Sequence, residues 1–508
     1  MRRRLSLLQH GARLCCGAIG GVFSRAAGVA ALLALAPAPL AAQNIEAVGD
    51  PLEQALTTGP LLPEEVLRSS ALTFPAILEA FEREAAARSD QLAADGAFDL
   101  MLKGEYYDRL TGFYSGGFGK AEARQPLRPY GAEVFGSYRV SDGDFPTYEN
   151  YNYTNQLGEV KVGALFSLLR NRDIDSRRFG IEDTRLAASQ AQLDVMLVQI
   201  STQHEALRAY WRWVAAGEEI RVFEELLEIA EARQIGLTRE FREGARARIA
   251  LTENEQNLLR RRTLLEEAKR NFATASNSLG FYLRGRNGQM VVPTREMLPD
   301  LARLKPVVPV DTLLATPLNE VIQSRPELQN FRLALERATN RVELRRNDLQ
   351  PSLDASVELS RDFGQIGPGG PGFDSTDTVV GLTFSVPLQR RQARGALQRA
   401  EAELRETQLR QRRITDQLTT DISNILANLS AALKLTDLAG AEVTQANQMV
   451  QAERTRFRLG AGDFFLVNVR EETAANARIS AIRANLSGRL AEASFNAATM
   501  NLNALGLE

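Results

Sequence analysis

The sequence predicts a mixed α and β chain made of two copies of one unit, with four amphipathic strands and long rod-like helices. Three observations carry this reading. Landmarks recur in one order at near-equal spacing. Each copy holds two segments in which apolar and polar side chains alternate. Each copy then continues through a long stretch poor in Gly and Pro.

The repeat is visible in short phrases. Val162-Gly-Ala-Leu-Phe-Ser returns as Val380-Gly-Leu-Thr-Phe-Ser, and Phe241-Arg-Glu-Gly244 returns as Phe457-Arg-Leu-Gly460. Phe166 and Gly244 are 78 residues apart, and Phe384 and Gly460 are 76 apart. Pro75 lies 23 residues before Phe98, as Pro326 lies 23 before Leu349. The copies are expected over 43–310 and 311–508. They differ between first and second strand: Phe98 to Phe166 spans 68 residues and Leu349 to Phe384 only 35, an insertion of 33 in copy one.

Residues 1–42 read as a secretory signal peptide. Arg2, Arg3 and Arg4 open a basic region, an apolar run covers Ala26 to Leu35, and Pro-Ala-Pro-Leu-Ala-Ala closes it at 37–42. Cleavage there would remove both cysteines, Cys15 and Cys16, and His10, leaving His204 as the single histidine. The whole chain has 61 Lys+Arg against 63 Asp+Glu; the mature part would hold 56 basic residues and a net charge of −7. Such a chain lacks Cys/His metal sets, a thiol nucleophile and disulfides. It also lacks the basic excess of a nucleic-acid binder. No later segment has the 18 or so consecutive apolar residues of a membrane helix. A membrane could therefore be crossed only by strands.

The four strands are expected at about 97–110, 158–169, 351–361 and 376–388. In the first, Phe98, Leu100, Leu102, Tyr106 and Leu110 alternate with Asp99, Lys103, Glu105 and Arg109. Val160, Val162, Ala164, Phe166 and Leu168 form the apolar set of the second. Leu353, Ala355, Val357 and Leu359 form that of the third, and Val380, Leu382, Phe384 and Val386 that of the fourth. Alternation makes one apolar and one wet face. The competing reading is a half-buried sheet in a soluble domain, but most polar faces carry charge and no second sheet is on offer. Eight of the ten tyrosines (106, 107, 114, 130, 138, 148, 151 and 153) fall between or beside the strands of copy one. They fit an interfacial girdle or an external loop. Gly367-Pro-Gly-Gly-Pro-Gly372 is the matching loop of copy two. Unpaired edges cannot face lipid, and four strands are too few to close a barrel. Three chains would supply twelve. Val134 to Val140 partly alternates as well, leaving room for an extra external hairpin in the insertion.

Long helices are expected at about 181–238 and 392–459, each returning at a Gly into helices at about 248–279 and 464–502. Leu397, Ala400, Leu404, Ile414, Leu418, Ile422, Ile425, Leu429 and Ala432 trace a coiled-coil-like seam, interrupted at Thr407 and Gln411. Gly244 and Gly460 suit the left-handed position that ends a helix, and Asp463 can cap the next one. Further helices are expected at about 63–94 and 318–347, with the Pro-containing span Val291 to Pro317 between.

With these residues in place, the chain resembles the TolC-like outer-membrane efflux family over nearly all of its length after residue 42. The resemblance is carried by Ser324-Arg-Pro-Glu-Leu328, Leu349-Gln-Pro-Ser-Leu353, Phe384-Ser-Val-Pro-Leu388, Ala400-Glu-Ala-Glu-Leu404 and Arg456-Phe-Arg-Leu-Gly-Ala-Gly-Asp463. It implies a trimeric outer-membrane β-barrel, twelve-stranded here, continued by a long periplasmic α-helical barrel. It also implies a passive exit channel for efflux or type I secretion, with no enzymatic activity and no cofactor. The implied partners are two further copies, a periplasmic adaptor (membrane fusion) protein, an inner-membrane transporter and outer-membrane lipid, with no nucleic acid. The docking tip would comprise Arg242, Glu243, Gly244, Arg458, Gly460 and Asp463. Copy one departs from the pattern, with Phe74-Pro75-Ala76 for the Arg-Pro-Glu form and no Asp matching Asp463.

His204 reads as a packed or solvent-facing residue. Arg454, Arg456 and Arg458 read either as a solvated face or as gating and adaptor contacts. The alternatives to a channel are a soluble periplasmic coiled-coil scaffold or adaptor and a secreted enzyme; the absence of Cys and near-absence of His argue against the enzyme.

Overall fold

The computed structural model describes residues 59–306, 317–366 and 375–507. The expected signal peptide, the copy boundary at 310/311 and the Gly-rich loop 367–372 lie outside the described residues. Fourteen principal elements follow in order. Helices α1 (Pro63–Thr73) and α2 (Pro75–Asp95) lead into strands β1 (Met101–Tyr107), β2 (Gly117–Pro126), β3 (Glu133–Asp142) and β4 (Glu159–Ser167). The rod α3 (Ser176–Arg242) and its return α4 (Arg248–Gly280) come next, then α5 (Leu318–Ser324) and α6 (Pro326–Asn347). Strands β5 (Ser352–Asp362) and β6 (Thr376–Ser385), the rod α7 (Arg391–Arg458) and its return α8 (Phe464–Ala498) complete the chain.

The rods have 67 and 68 residues. At ~1.5 Å per residue each is about 100 Å long, several times the hydrocarbon depth of a bilayer. Asp175 starts α3 by accepting from the Arg178 backbone N–H at 2.9 Å. α4 packs along α3, α8 along α7 and α3, and α6 bridges α7 and α3. The expected helices at 63–94 and 318–347 are each broken. The breaks fall at Phe74-Pro75 and Arg325-Pro326, where proline has no backbone N–H to donate and keeps the preceding residue extended.

The largest apolar core sits about halfway along α3. Tyr210, Trp213 and Val214 are fully buried there against Leu61, Leu279, Leu283 and Leu304, with Ile479 and Ile482 of α8 on the same cluster. The Tyr210 hydroxyl donates to the Leu61 carbonyl at 2.9 Å, so its polar end is satisfied inside the core. This packing clamps α3 and α4 to α8 between the strands and the distal turns.

The strand count needs correction. Four strands per chain were expected, but the strands form one antiparallel sheet of six in the order β1-β2-β3-β4-β5-β6. The insertion supplies β2 and β3, which lie inside the sheet and not as an external hairpin. The twelve-stranded total that rested on four therefore falls. β1 is also shorter than expected, because Gly96–Phe98 forms a 3₁₀ turn and residues 108–110 lie past its end.

Candidate functional site: the strand wall and the helical tip

Antiparallel pairing with a two-residue period puts alternate residues on common faces. On one face Leu102, Ala123, Gly136 and Val162 stand in a row, and Tyr106, Gly119 and Val140 in another. The row continues from Val162 through Leu359 to Thr378, and beside it Ala164, Val357 and Val380 align. This face is open: Tyr106 is 80% and Leu382 70% exposed. The opposite face carries the charges. Lys120 meets Glu122 at 2.5 Å, Arg124 meets Glu133 at 2.9 Å, Arg139 meets Glu159 at 2.8 Å, and Lys161 lies 3.8 Å from Glu358. The Glu122 and Glu159 side chains are only 9% and 11% exposed.

A sheet in a water-soluble protein covers its apolar side and shows its charges. This sheet does the reverse. A broad exposed apolar face backed by covered ion pairs suits lipid outside and water inside. β1 and β6 are its edges, and both carry exposed apolar residues, including Leu102 and Val380. Tyr106, Tyr107, Phe113, Tyr148 and Tyr151 are exposed at or beyond the strand ends away from the helices. Tyr130 lies at the other end, in the turn between β2 and β3 beside the helices.

At the far end of the rods the six expected tip residues occupy two adjacent turns. Arg242 is the last residue of α3 and Glu243 follows it as the cap. Gly244 and Gly460 have φ of +74° and +75°, the left-handed conformation that glycine takes without penalty. Arg458 ends α7, and the Asp463 carboxylate accepts from the Phe465 backbone N–H at 3.4 Å. All six are exposed. The two turns touch, because the Arg246 guanidinium lies 5.3 Å from the centre of the Phe457 ring. They are not equal: α8 has its Asp463 cap, whereas Ala247 precedes α4 without a side-chain cap.

Just inside the tip lies a group that was not found from the sequence. Glu471 of α8 is buried and accepts from Arg233 of α3 at 2.6 Å and from Arg454 of α7 at 2.9 Å; Arg261 of α4 lies 3.6 Å away. One carboxylate thus ties four helices. Burial alone would push its pKa up, but the hydrogen bonds and charges of Arg233 and Arg454 outweigh burial and hold it below the ordinary carboxylate value. Of the three arginines in the 454–458 run, Arg454 turns inward to this carboxylate. Arg456 pairs with Glu453 at 3.3 Å and Arg458 stays exposed.

His204 shares a hydrogen bond of 3.1 Å with Ser494, and burial lowers its pKa. Among the described residues, no cluster of three or more His, Cys, Asp or Glu could hold a metal ion. Among the same residues, no helix is long and apolar enough to cross a membrane.

Solved channels share this architecture. A structure of CusC, described in terms of transmembrane channel formation, superposes with a TM-score of 0.62 at 14% identity, over 86% of this chain and 91% of that one. The CmeC outer membrane channel of Campylobacter jejuni gives 0.58 at 13% identity, over 87% and 89%. The outer membrane protein VceC of Vibrio cholerae gives 0.58 at 13%, over 88% and 97%. At such identities the likeness establishes the fold. Among curated protein sequences, none matches. Residues 318–499 match the model of the outer membrane efflux protein family. The second half of the chain thus carries the outer membrane efflux protein signature, on a fold that is similar to these channels throughout. An efflux protein of this family is an outer-membrane channel with a helical periplasmic part, a transport duct and not an enzyme. Its channels are homotrimers that work with adaptor proteins and inner-membrane pumps.

Proposed function

We propose that three copies of this efflux protein seal one outer-membrane pore, each giving a sector of barrel wall and a sector of helical tube. The observation that carries the reading is the inverted sheet, with exposed apolar side chains on one face and ion-paired charges on the other. Lipid would cover the apolar face and water would fill the lumen. The edges β1 and β6 cannot be left in lipid with open backbone groups, so β6 of one copy would pair with β1 of the next. A soluble scaffold is not supported by that face.

The repeat itself, with copies at 43–310 and 311–508, is part of the same proposal. Each copy reverses its rod at an exposed glycine turn, and the two turns lie together through Arg246 and Phe457. The adaptor would dock on Arg242, Glu243, Gly244, Arg458, Gly460 and Asp463. Solutes enter from the adaptor and pump side and leave through the sheet, with no bond made or broken by this chain.

The test is mass and solubility. Extraction from membranes should require detergent and yield a particle of three copies that conducts ions in a lipid bilayer. A water-soluble monomer that leaves lipid untouched would end the reading. For the tip, Arg458→Glu with Arg242→Glu should weaken capture of the adaptor while the trimer still assembles.

A further inference from the structure

The geometry points to β2–β3 as an added membrane-spanning hairpin that widens the shared pore to eighteen strands, making the outer exit a duct for bulky hydrated cargo. The inference rests on the trimeric pore proposed above and adds the size class of what can leave through it.

Four observations meet on this hairpin. It lies inside the sheet, paired to β1 over Met101–Tyr107 and to β4 from Glu133 to Arg139. Removing it would leave β1 and β4 without the partners they now have. Second, its faces continue those of its neighbours. Gly119, Ala121 and Ala123 of β2 and Val134, Tyr138 and Val140 of β3 share the apolar side, and Lys120, Glu122, Arg124, Glu133 and Arg139 share the charged side. A hairpin standing in water above the membrane would have no use for an unbroken lipid face.

Third, its length fits. Each strand has ten residues. Ten residues at ~3.3 Å, tilted by ~40°, rise about 25 Å, the height of the apolar band of an outer-membrane barrel. Fourth, its turn is seated on the helical end. Arg128 pairs with Asp95 at the end of α2 at 3.0 Å, Gln125 donates to the Phe98 carbonyl, and Arg177 of α3 lies 3.7 Å from Glu133. Gly131, with φ of +55°, passes so close to the Asn171 carbonyl that a side chain would collide. The hairpin therefore reaches from the outer loops to the base of the sheet.

Three sheets of six make eighteen strands, and barrel diameter grows nearly in proportion to strand number. Relative to four strands per copy, the barrel widens about 1.5-fold and its cross-section about 2-fold; barrels of 16–18 strands hold an open aqueous channel. The ion-paired wall offers that water a hydrophilic surface with few unpaired charges. The outer barrel is then not the sieve of this duct, and solutes of large hydrated cross-section can pass it.

The ends of the hairpin make the decisive variant simple. The Gly116 N–H donates to the Asp144 carbonyl at 2.8 Å, so deleting 117–142 brings Gly116 and Gly143 together without stretching the chain. Single cysteines serve as topology probes in a background with Cys15 and Cys16 replaced by Ser. Tyr148→Cys reports the outer loop 143–158 and Tyr130→Cys the turn between β2 and β3. In intact cells a membrane-impermeant maleimide should label position 148, and should label position 130 only after the outer membrane is permeabilised. Labelling of both in intact cells overturns the spanning hairpin and leaves the channel standing. Protection of position 148 in intact cells overturns the channel reading itself. In planar bilayers, the largest polyethylene glycol that enters from the outer side should shrink in diameter by about a third in the deletion variant. An unchanged limit overturns the widening. If the deletion variant does not assemble, the labelling pattern decides.

Discussion

The sheet and the middle of the rods bury opposite kinds of side chain. Around Trp213 the aromatics are inside, and the charges of the neighbouring turns, such as Arg478 with Glu225 at 2.5 Å, lie outside. In the sheet Leu382 and Tyr106 are outside and Glu122 and Glu159 are covered. On the proposed reading one chain obeys two solvents, water around the rods and lipid around the strands. The contrast teaches that apolar patterning locates an interface but does not say which side of it is the protein.

The largest test of this contrast is at the core of the rods. Trp213→Ala should cost about 3–5 kcal/mol, the usual range for deleting a buried large aromatic. Trp213 is fully buried between α3, α4 and the segment around Leu61, so little collapse can fill the void. Urea unfolding of the detergent-solubilised trimer should show the loss as an earlier transition of the helical signal. A neutral outcome would mean that the core around Trp213 is not what clamps α3 and α4 to α8.

The wall gives the next effect. Val162 projects from the apolar face between Gly136 and Leu359, and its neighbour Lys161 projects from the charged face. Val162→Arg should destabilise the membrane-embedded form by about 2–4 kcal/mol, as a charge does on the lipid side near mid-depth. Lys161→Ala, one residue away, should leave trimer yield nearly unchanged and alter ion selectivity instead. Comparable losses from both substitutions would erase the two-faced description of the sheet.

Acid should loosen the tip before it loosens the core. Glu471 has its pKa held below the carboxylate value of 4.5 by Arg233 and Arg454, so its contribution to stability is full above that value. The contribution is lost as the pH falls below it, because the protonated form no longer binds the three guanidinium groups. Hydrogen exchange should therefore accelerate in the distal turns of α3, α4, α7 and α8 as pH drops below 4.5, ahead of exchange around Trp213. In Glu471→Gln the distal exchange should already be fast at neutral pH and indifferent to acid. Exchange that stays slow in this variant would remove Glu471 as the tie.

Much of this architecture can be read from the residues alone. The rods stop where Gly244 and Gly460 permit a left-handed turn, and that signal is local. The helix breaks at Pro75 and Pro326 are local too, although periodicity hides them by running straight through. The hairpin is harder to see, because the lipid face of β2 is built from Gly119, Ala121 and Ala123. Small residues give no alternating hydrophobic signal, so β2 escapes the pattern that marks the other strands; only the Val134 to Val140 stretch of β3 hints at it. The Glu471 group is invisible for another reason. Its partner Arg233 lies 238 residues away, and one glutamate in an Arg-Glu-Glu run resembles every other charge on a helix until packing selects it.

The smallest effect separates the two tips. Asp463 caps α8 through the Phe465 N–H, while Ala247 leaves the start of α4 without a side-chain acceptor. Asp463→Ala should cost about 1 kcal/mol locally, and Ala247→Asp should gain a similar amount by supplying the missing cap. Both positions are exposed, so neither change disturbs the core, and amide exchange in the first turns of α4 and α8 reads each one separately. If the two turns serve adaptor docking in different ways, Ala247→Asp should stiffen the first turn and change adaptor affinity, whereas Asp463→Ala should loosen the second and lower it. Equal responses to both would mean that the adaptor reads the charge around Arg242 and Arg458 and not the rigidity of the turns.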